Sequence, residues 1–402
     1  MGVTVKEENQ KLQELFTNAV TEPKRRTDGA DKNVPKKKML ELIEIAKKNL
    51  KDDELYVWNA NINGVIVQLR TNSFHQYDFW VDNWFPADFD VRPDAVVWSV
   101  NGVGGTAPYA YFCLEMMTVV FFNTNYYGQC KSWSLGLADA VLRPKGVHSI
   151  HGSCVDVAGR GTVMIAPTGT GKSTHVAGLL ELPNTNIHSD DWLYLTYPSS
   201  DGKVRWAEAA ISERNFYVRT DTAKESARMK ELFFRCKTEN VVTQPGQCIA
   251  KFCNTPAPDG KRQCMFEEGC ERCFWGFPNS RAILDPTWIA GQTRFVRKTK
   301  LAHVIFLTRD DQTPVQVKLE PSRAIEILKE GKYMVLPGAG AQKDWGTYKN
   351  EAWYNPYLLN VDHPFQEDSF RKLMSVADAY IINTGKASIQ ENQERIRKIA
   401  LS

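Results

Sequence analysis

No stretch of the chain approaches the ~20 consecutive apolar residues that a membrane-spanning helix needs. The opening MGVTVKEENQKLQEL also lacks the basic-then-apolar plan of a secretion signal. Charge of one sign is not in excess: 50 Lys and Arg face 47 Asp and Glu, leaving +3. Such a balance makes no concentrated field for nucleic acid or an anionic bilayer, so a charged ligand must be held by a local site. A composition of 43% hydrophobic, 24% charged and 11% aromatic residues excludes collagen-like, low-complexity and largely disordered classes, and no internal repeat is present. The expectation is a cytoplasmic globular protein with neither a membrane nor a nucleic-acid partner. At 402 residues it has room for two or three domains and a large core.

Residues 1–50 form a charged N-terminal segment, in which a basic, turn-rich stretch from Pro23 to Lys38 lies between two amphipathic helical patterns and reads as a solvated linker. Residues 51–144 carry short β-branched and aromatic runs (VIVQL, AVVWSV, MTVVFF) broken by Gly, Pro and Asn, the pattern of a mixed, strand-rich domain. Over 145–402 strand patterns (GTVMIA, DWLYLTY, HVIFL, DAYIIN) alternate with helix patterns (KSTHVAGLLEL, PSRAIEILKEG, NQERIRKIAL), so the second half reads as an α/β domain.

Gly161 to Ala166 reads as a buried strand, followed by Pro167-Thr168-Gly169-Thr170-Gly171-Lys172-Ser173-Thr174 and a helix pattern. This is nearly the full Walker A order. The glycines let backbone N–H groups turn onto phosphate oxygens, the helix start adds partial positive charge, Lys172 suits the β/γ-phosphates and Ser173 suits Mg²⁺. Ala166 stands where a glycine is usual, which an alanine with negative φ tolerates. Sixteen residues beyond Ser173, Ser189-Asp190-Asp191 opens the next apolar strand, placing two acids where metal work in nucleotide chemistry is done. His151 lies just ahead of the phosphate strand.

Weaker signals stand beside these. Nine cysteines without a secretion signal read as thiols or metal ligands. Six crowd one segment from Cys236 to Cys273, with an insertion near 248–273, and Cys253, Cys264, Cys270 and Cys273 include a Cys-x₂-Cys edge that a structural Zn²⁺ could use. Asn101-Gly102-Val103-Gly104-Gly105 reads as a turn, and Tyr77, Phe79, Trp80, Trp84 and Phe85 read as core packing, with a substrate wall as the alternative.

The order and spacing of Asn123 to Lys131, Lys145 to Ser153, the loop and Asp190-Asp191 resemble the ATP-dependent phosphoenolpyruvate carboxykinases, whose Y-x-G-E-x-K-K, M-H-C-S, G-L-S-G-T-G-K-T-T and G-D-D segments build one site. Downstream, Glu213 to Thr220 is similar to E-G-G-C-Y-A-K-T, Glu239-Asn240-Val241 to E-N-V, Thr293-Arg294 to T-R, Val304 to Asp310 to I-I-F-L-T-x-D, and Ile382 to Gly385 to V-N-T-G-W. The resemblance implies a two-domain fold, with residues 51–144 on the substrate side of a phosphate-loop domain. It implies a divalent, manganese-type ion on His151 and Asp191, with Lys131 as third ligand. Thr168 to Thr174 and Asp190 would handle Mg-ATP, with Ser173 on the Mg²⁺, and Arg219 would stand near the transferring phosphate. Tyr126, Arg294 and Arg70 would hold a small carboxylate, oxaloacetate in the most concrete form. Ser132 replaces a family lysine, Glu213-Arg214-Asn215 replaces the E-G-G turn and Lys386 replaces the last tryptophan. These departures bear on decarboxylation more than on phosphoryl transfer.

His151-Gly152 with Val155-Asp156-Val157 and Gly159 also resembles the H-G-x-x-V-D-V-x-G segment of the HPr kinases, which implies phosphorylation of a serine or other hydroxyl. A non-catalytic nucleotide-sensing module is the third reading.

Overall fold

The computed structural model describes residues 27–167, 169–224, 227–248, 264–267, 269–277, 279–291, 294–336 and 342–402. They form a mixed α/β structure built on two large sheets, of seven and nine strands. Among the described residues no helix is long and apolar enough to cross a membrane.

In the seven-stranded sheet, Val65–Thr71, Ala95–Val100 and Thr118–Phe122 run parallel at the centre, flanked by antiparallel and edge strands. The run TVVFF is buried along its whole length, because both faces of the sheet are covered. Val119 and Phe121 pack with Leu135, Leu137 and Ala138 of the helix Tyr127–Leu142. Val120 and Phe122, on the opposite face, pack with Met39, Leu42 and Ala46 of the helix Lys36–Lys48. The helical pattern after the basic stretch is thus a helix, and the expectation of a solvated linker from Pro23 to Lys38 is corrected for its described part. Gly29–Asp31 pairs as an edge strand with Tyr109–Tyr111, and the apolar stripe of Lys36–Lys48 closes one face of the sheet. Phe79, Trp80 and Trp84, which lie on or just after the helix Phe74–Asn83, are core residues.

The nine-stranded sheet is centred on Arg160–Ile165, Lys298–Thr308 and Asp378–Asn383, which run parallel, with antiparallel strands outside them. Alternation again sorts the side chains. Met164, Ile305 and Leu307 face the helices Lys172–Leu179 and Ile389–Leu401, whereas Val163, Val304 and Phe306 face Pro321–Glu330 and His363–Met374. Loops at the carboxyl ends of parallel strands are where such sheets bind ligands, and the segment after Ile165 is one of them. The apolar core of the first sheet continues through Trp192, Tyr194, Tyr217 and Ile283, so the two sheets meet along a packed seam.

Candidate functional site

At that seam lies a cleft of about 410 Å³. One wall is the glycine-rich loop after Ile165, expected to bind phosphate. Gly169 and Gly171 have φ of 92° and 101°, a region that L side chains rarely enter, so glycine is required at both positions. Ala166 is not among the residues with positive φ, which is why it can replace a glycine there. Thr170 does not line the cleft. Its hydroxyl donates to Pro167 O at 2.8 Å, and its carbonyl accepts from Thr384 Oγ1 at 2.9 Å, so the Asn383-Thr384-Gly385 segment braces the loop from behind. Gly169, Gly171, Lys172, Ser173 and Thr174 do line the cleft, while Thr168 lies outside the described residues.

The facing wall is the start of the helix Tyr127–Leu142, where Gly128, Lys131 and Ser132 share one face at i, i+3 and i+4. A Cβ on Gly128 would stand 2.5 Å from the Tyr126 hydroxyl and 2.8 Å from that of Tyr217, so glycine is needed to let both phenols approach the helix. Lys131 is buried, with its Nζ 2.9 Å from Asp191 Oδ2 and 3.2 Å from Glu213 Oε1. Burial acts against its charge, but these two carboxylates more than offset that and hold the ammonium protonated. Lys131 thus stands as a cation between two carboxylates, one of them the Asp191 with which it is expected to share a metal ion. Glu213, pushed up to about 7 by burial, also accepts from Asn83 Nδ2 at 2.9 Å.

His151, Asp191 and Lys172 meet on the floor. His151 Nδ1 lies 3.1 Å from Tyr354 O, and Nε2 lies 3.1 Å from Asp191 Oδ1 and 3.4 Å from Lys172 Nζ. Burial and the neighbouring Lys172 lower the imidazole's pKa and favour its neutral form. A neutral ring that donates Nδ1–H to the carbonyl leaves the Nε2 lone pair beside a carboxylate oxygen. Burial pushes Asp191 up, yet the charges of Lys131 and Lys172 outweigh it and keep the group ionised. An imidazole lone pair and a carboxylate side by side, the ring held by a carbonyl, suit a divalent cation. Among the described residues no group of three or more His, Cys, Asp or Glu is placed to hold a metal. Of the four cysteines of the expected zinc group, Cys253 lies outside the described residues. Asp190, beside the pair, is pushed up to about 6 by burial and by the charge on Asp191.

The third wall is a small sheet in which Phe216–Arg219 and Lys237–Glu239 flank Arg281–Leu284. Arg219 and Arg281 are directly opposed across it, and both line the cleft. Like charges so placed repel unless an anion separates them. Arg219 is paired with Asp221, its Nε 3.1 Å from Oδ1. Arg281 has no carboxylate partner among the described residues; Nη1 donates to Ser280 O at 3.0 Å, and the guanidinium lies 5.9 Å from the centre of the Tyr217 ring. Burial acts against its charge, but the oxygens of Tyr126, Tyr217 and Tyr357 and the Asp221 carboxylate more than offset that. Glu239, Arg281's other cross-strand neighbour, is engaged elsewhere: it accepts from the Tyr217 hydroxyl and the Tyr127 N–H, and His75 Nε2 lies 2.7 Å away.

Two expected substrate residues are not in the cleft. Arg294 donates from Nε to Thr185 O at 2.7 Å and from Nη2 to Leu180 O at 2.6 Å and Leu182 O at 3.2 Å, tying down the chain after the phosphate-loop helix. Arg70 lies on the first sheet over Trp98, in a different cavity. Arg219 lines the cleft as expected, and beside it stands an arginine that was not expected there, Arg281. Its sequence signal is slight, a charged residue opening the apolar strand Arg281–Leu284. Tyr217, also in the lining, falls on the tyrosine of the E-G-G-C-Y-A-K-T resemblance, whereas Tyr357 carries no local signal. No model of a known protein family matches the chain, and a search of curated proteins finds no match.

Proposed function

We infer that this cleft is the active site of an ATP-dependent phosphotransferase of the phosphoenolpyruvate-carboxykinase-like class, with phosphate loop and substrate wall on opposite sides of the seam. The observation that carries the reading is the convergence of three features on one cavity. These are the loop lysine Lys172, the electron-rich His151–Asp191 pair and the half-buried Arg281, which has no carboxylate of its own among the described residues. In this reading Gly169 to Thr174 bind the triphosphate, and Lys172 holds the β/γ-phosphates. Arg281 and the Tyr126 hydroxyl orient a small carboxylate so that its enolate or hydroxyl oxygen meets the terminal phosphorus in line, and Arg219 stabilises the phosphoryl oxygens. His151 and Asp191 would hold a second divalent ion, which when bound neutralises charge on phosphate and acceptor. Oxaloacetate, giving phosphoenolpyruvate, is the most concrete acceptor.

One observation favours a second reading, a kinase for a serine-like hydroxyl. Asp190 sits near Lys172 with a pKa near neutrality, the property of a base that takes a hydroxyl proton, which an enolate acceptor does not require. Calorimetry with Mg-ATP tests the shared core of both. Lys172→Ala should bind nucleotide at least ~10-fold more weakly while remaining folded, and unchanged affinity in a folded variant refutes the assignment.

A further inference from the structure

Arg70, outside the main cleft, belongs to a second cavity of about 490 Å³ on the seven-stranded sheet. Val57, Arg70 and Trp98 form one cross-strand row, so their side chains share a face. The helix Lys36–Lys48 covers that face over Trp98 and Val120 and then ends, leaving the part at Arg70 as the floor of a pocket. Leu50 and Leu55, which follow the helix, make one side, and Phe89 makes the other. Leu55 and Phe89 are 38% and 61% exposed, two large apolar groups turned to solvent around a cation.

The cation is held in place. Arg70 Nε donates to Gln68 Oε1 at 2.6 Å, and the guanidinium lies 4.7 Å from the centre of the Trp98 ring. Its terminal nitrogens have no acidic partner among the described residues, and no carboxylate lines the cavity. Lys47 adds a second positive charge at the rim, where its ammonium pairs with Glu44 at 2.8 Å on the exposed side. A planar donor fork fixed at the base of an apolar pocket matches a carboxylate that carries an apolar body. We propose that this pocket is a second ligand site, distinct from the cleft, for a small carboxylate with an aromatic or short aliphatic tail. The carboxylate takes the terminal nitrogens of Arg70 with help from Lys47, and the tail lies against Leu55, Val57 and Phe89. The proposal does not depend on whether the cleft transfers phosphate.

Titration calorimetry of the full chain with 3-phenylpropionate tests it, with the isosteric alcohol 3-phenylpropan-1-ol and inorganic phosphate as the other probes. One molecule of the carboxylate should bind, and the alcohol and phosphate should each bind at least ~10-fold more weakly, since one lacks the charge and the other the tail. Arg70→Gln should weaken the carboxylate at least ~10-fold. The exposed substitution Phe89→Ser, which leaves the core intact, should weaken it several-fold, and Arg281→Gln in the main cleft should leave it unchanged. The proposal is overturned if wild type binds no carboxylate at millimolar concentration or if the alcohol binds as well. It is equally overturned if Arg70→Gln and Phe89→Ser bind as wild type does, or if Arg281→Gln abolishes binding.

Discussion

Exchanging arginine for lysine at two positions separates a residue that binds substrate from one that holds the fold. Arg294 makes three contacts with main-chain carbonyls, at 2.6, 2.7 and 3.2 Å. A lysine keeps the charge but cannot reach all three. Losing about two charge-assisted bonds at roughly 1.5–3 kcal/mol each, partly recovered by the ammonium, predicts that Arg294→Lys destabilises the protein by about 2–4 kcal/mol. Arg281 contributes little of this kind, since its protein contacts are one carbonyl at 3.0 Å and one ring face. Arg281→Lys should therefore cost stability less than about 1 kcal/mol. Its effect should fall on the acceptor: loss of a bidentate, desolvated pair worth about 3 kcal/mol lowers kcat/KM for the carboxylate ~10²-fold, with the affinity for ATP nearly unchanged. Denaturant unfolding and initial rates at saturating Mg-ATP read the two effects independently. A stable Arg294→Lys with impaired acceptor kinetics, or an Arg281→Lys with wild-type kcat/KM, refutes the assignment of the acceptor cation.

Three further outcomes follow from the geometry. Gly128→Ala puts a methyl group within 3 Å of two phenol oxygens, so it should displace Tyr126 and Tyr217 and reduce turnover at least ~10-fold without unfolding the chain; wild-type rates would contradict the close approach. Lys131→Met leaves Asp191 and Glu213 buried without their cation and should cost about 3–5 kcal/mol in denaturant unfolding, part of which Glu213→Gln in the same chain should restore; a Lys131→Met protein as stable as wild type would show that the ammonium does not hold the two carboxylates. Burial lowers His148 from 6.5 to about 3, so its stabilising effect is present above pH 6.5 and is lost as pH falls toward 3. Between pH 6.5 and 5 this one group should remove about 1.5 kcal/mol, and His148→Gln should reduce the loss between the two pH values by that amount in urea titrations, leaving the share of His175, His188 and His303, each lowered to about 4.

The strand, glycine loop and helix from Gly161 to Leu179 were legible because their signals are local. A buried strand, glycines at positions of positive φ and a lysine at the helix start lie within a dozen residues, and each constrains the backbone by itself. The strands AVVWSV, HVIFL and DAYIIN were legible for a similar reason, as short apolar runs bounded by turns or charge. The helix Tyr127–Leu142 was not, because it is apolar nearly all round: it is buried under the first sheet, and its 3.6-residue period is obscured. The helix Lys36–Lys48 has the opposite character. Lysines dominate its sequence, but a stripe of only Met39, Leu42 and Ala46 is enough to close a sheet face.

The choice among arginines exceeded what local pattern could decide. Arg281 and Arg294 each follow a short hydroxyl-bearing stretch and precede an apolar residue, so the sequence ranks them alike. Which one faces the phosphate loop is set by strand pairing. Arg281 lies opposite Arg219 in a small sheet, whereas Arg294 falls where three carbonyls need a donor. Lys131 was legible as a residue near Asp191, but its pairing with Glu213 was not, because that carboxylate lies far away in sequence.

The proposed transfer of the terminal phosphoryl group of ATP to a small acceptor is directly observable. Phosphorus NMR can follow ATP incubated with wild-type protein, Mg²⁺ and Mn²⁺ over a panel of 2-oxo acids, hydroxy acids and amino acids. A new phosphoryl resonance and matching ADP should appear with at least one carboxylate acceptor, abolished in Lys172→Ala and strongly reduced in Arg281→Lys. ATP that stays intact with every acceptor while still binding in the cleft, or a phosphorylated product formed equally well by Lys172→Ala, contradicts it.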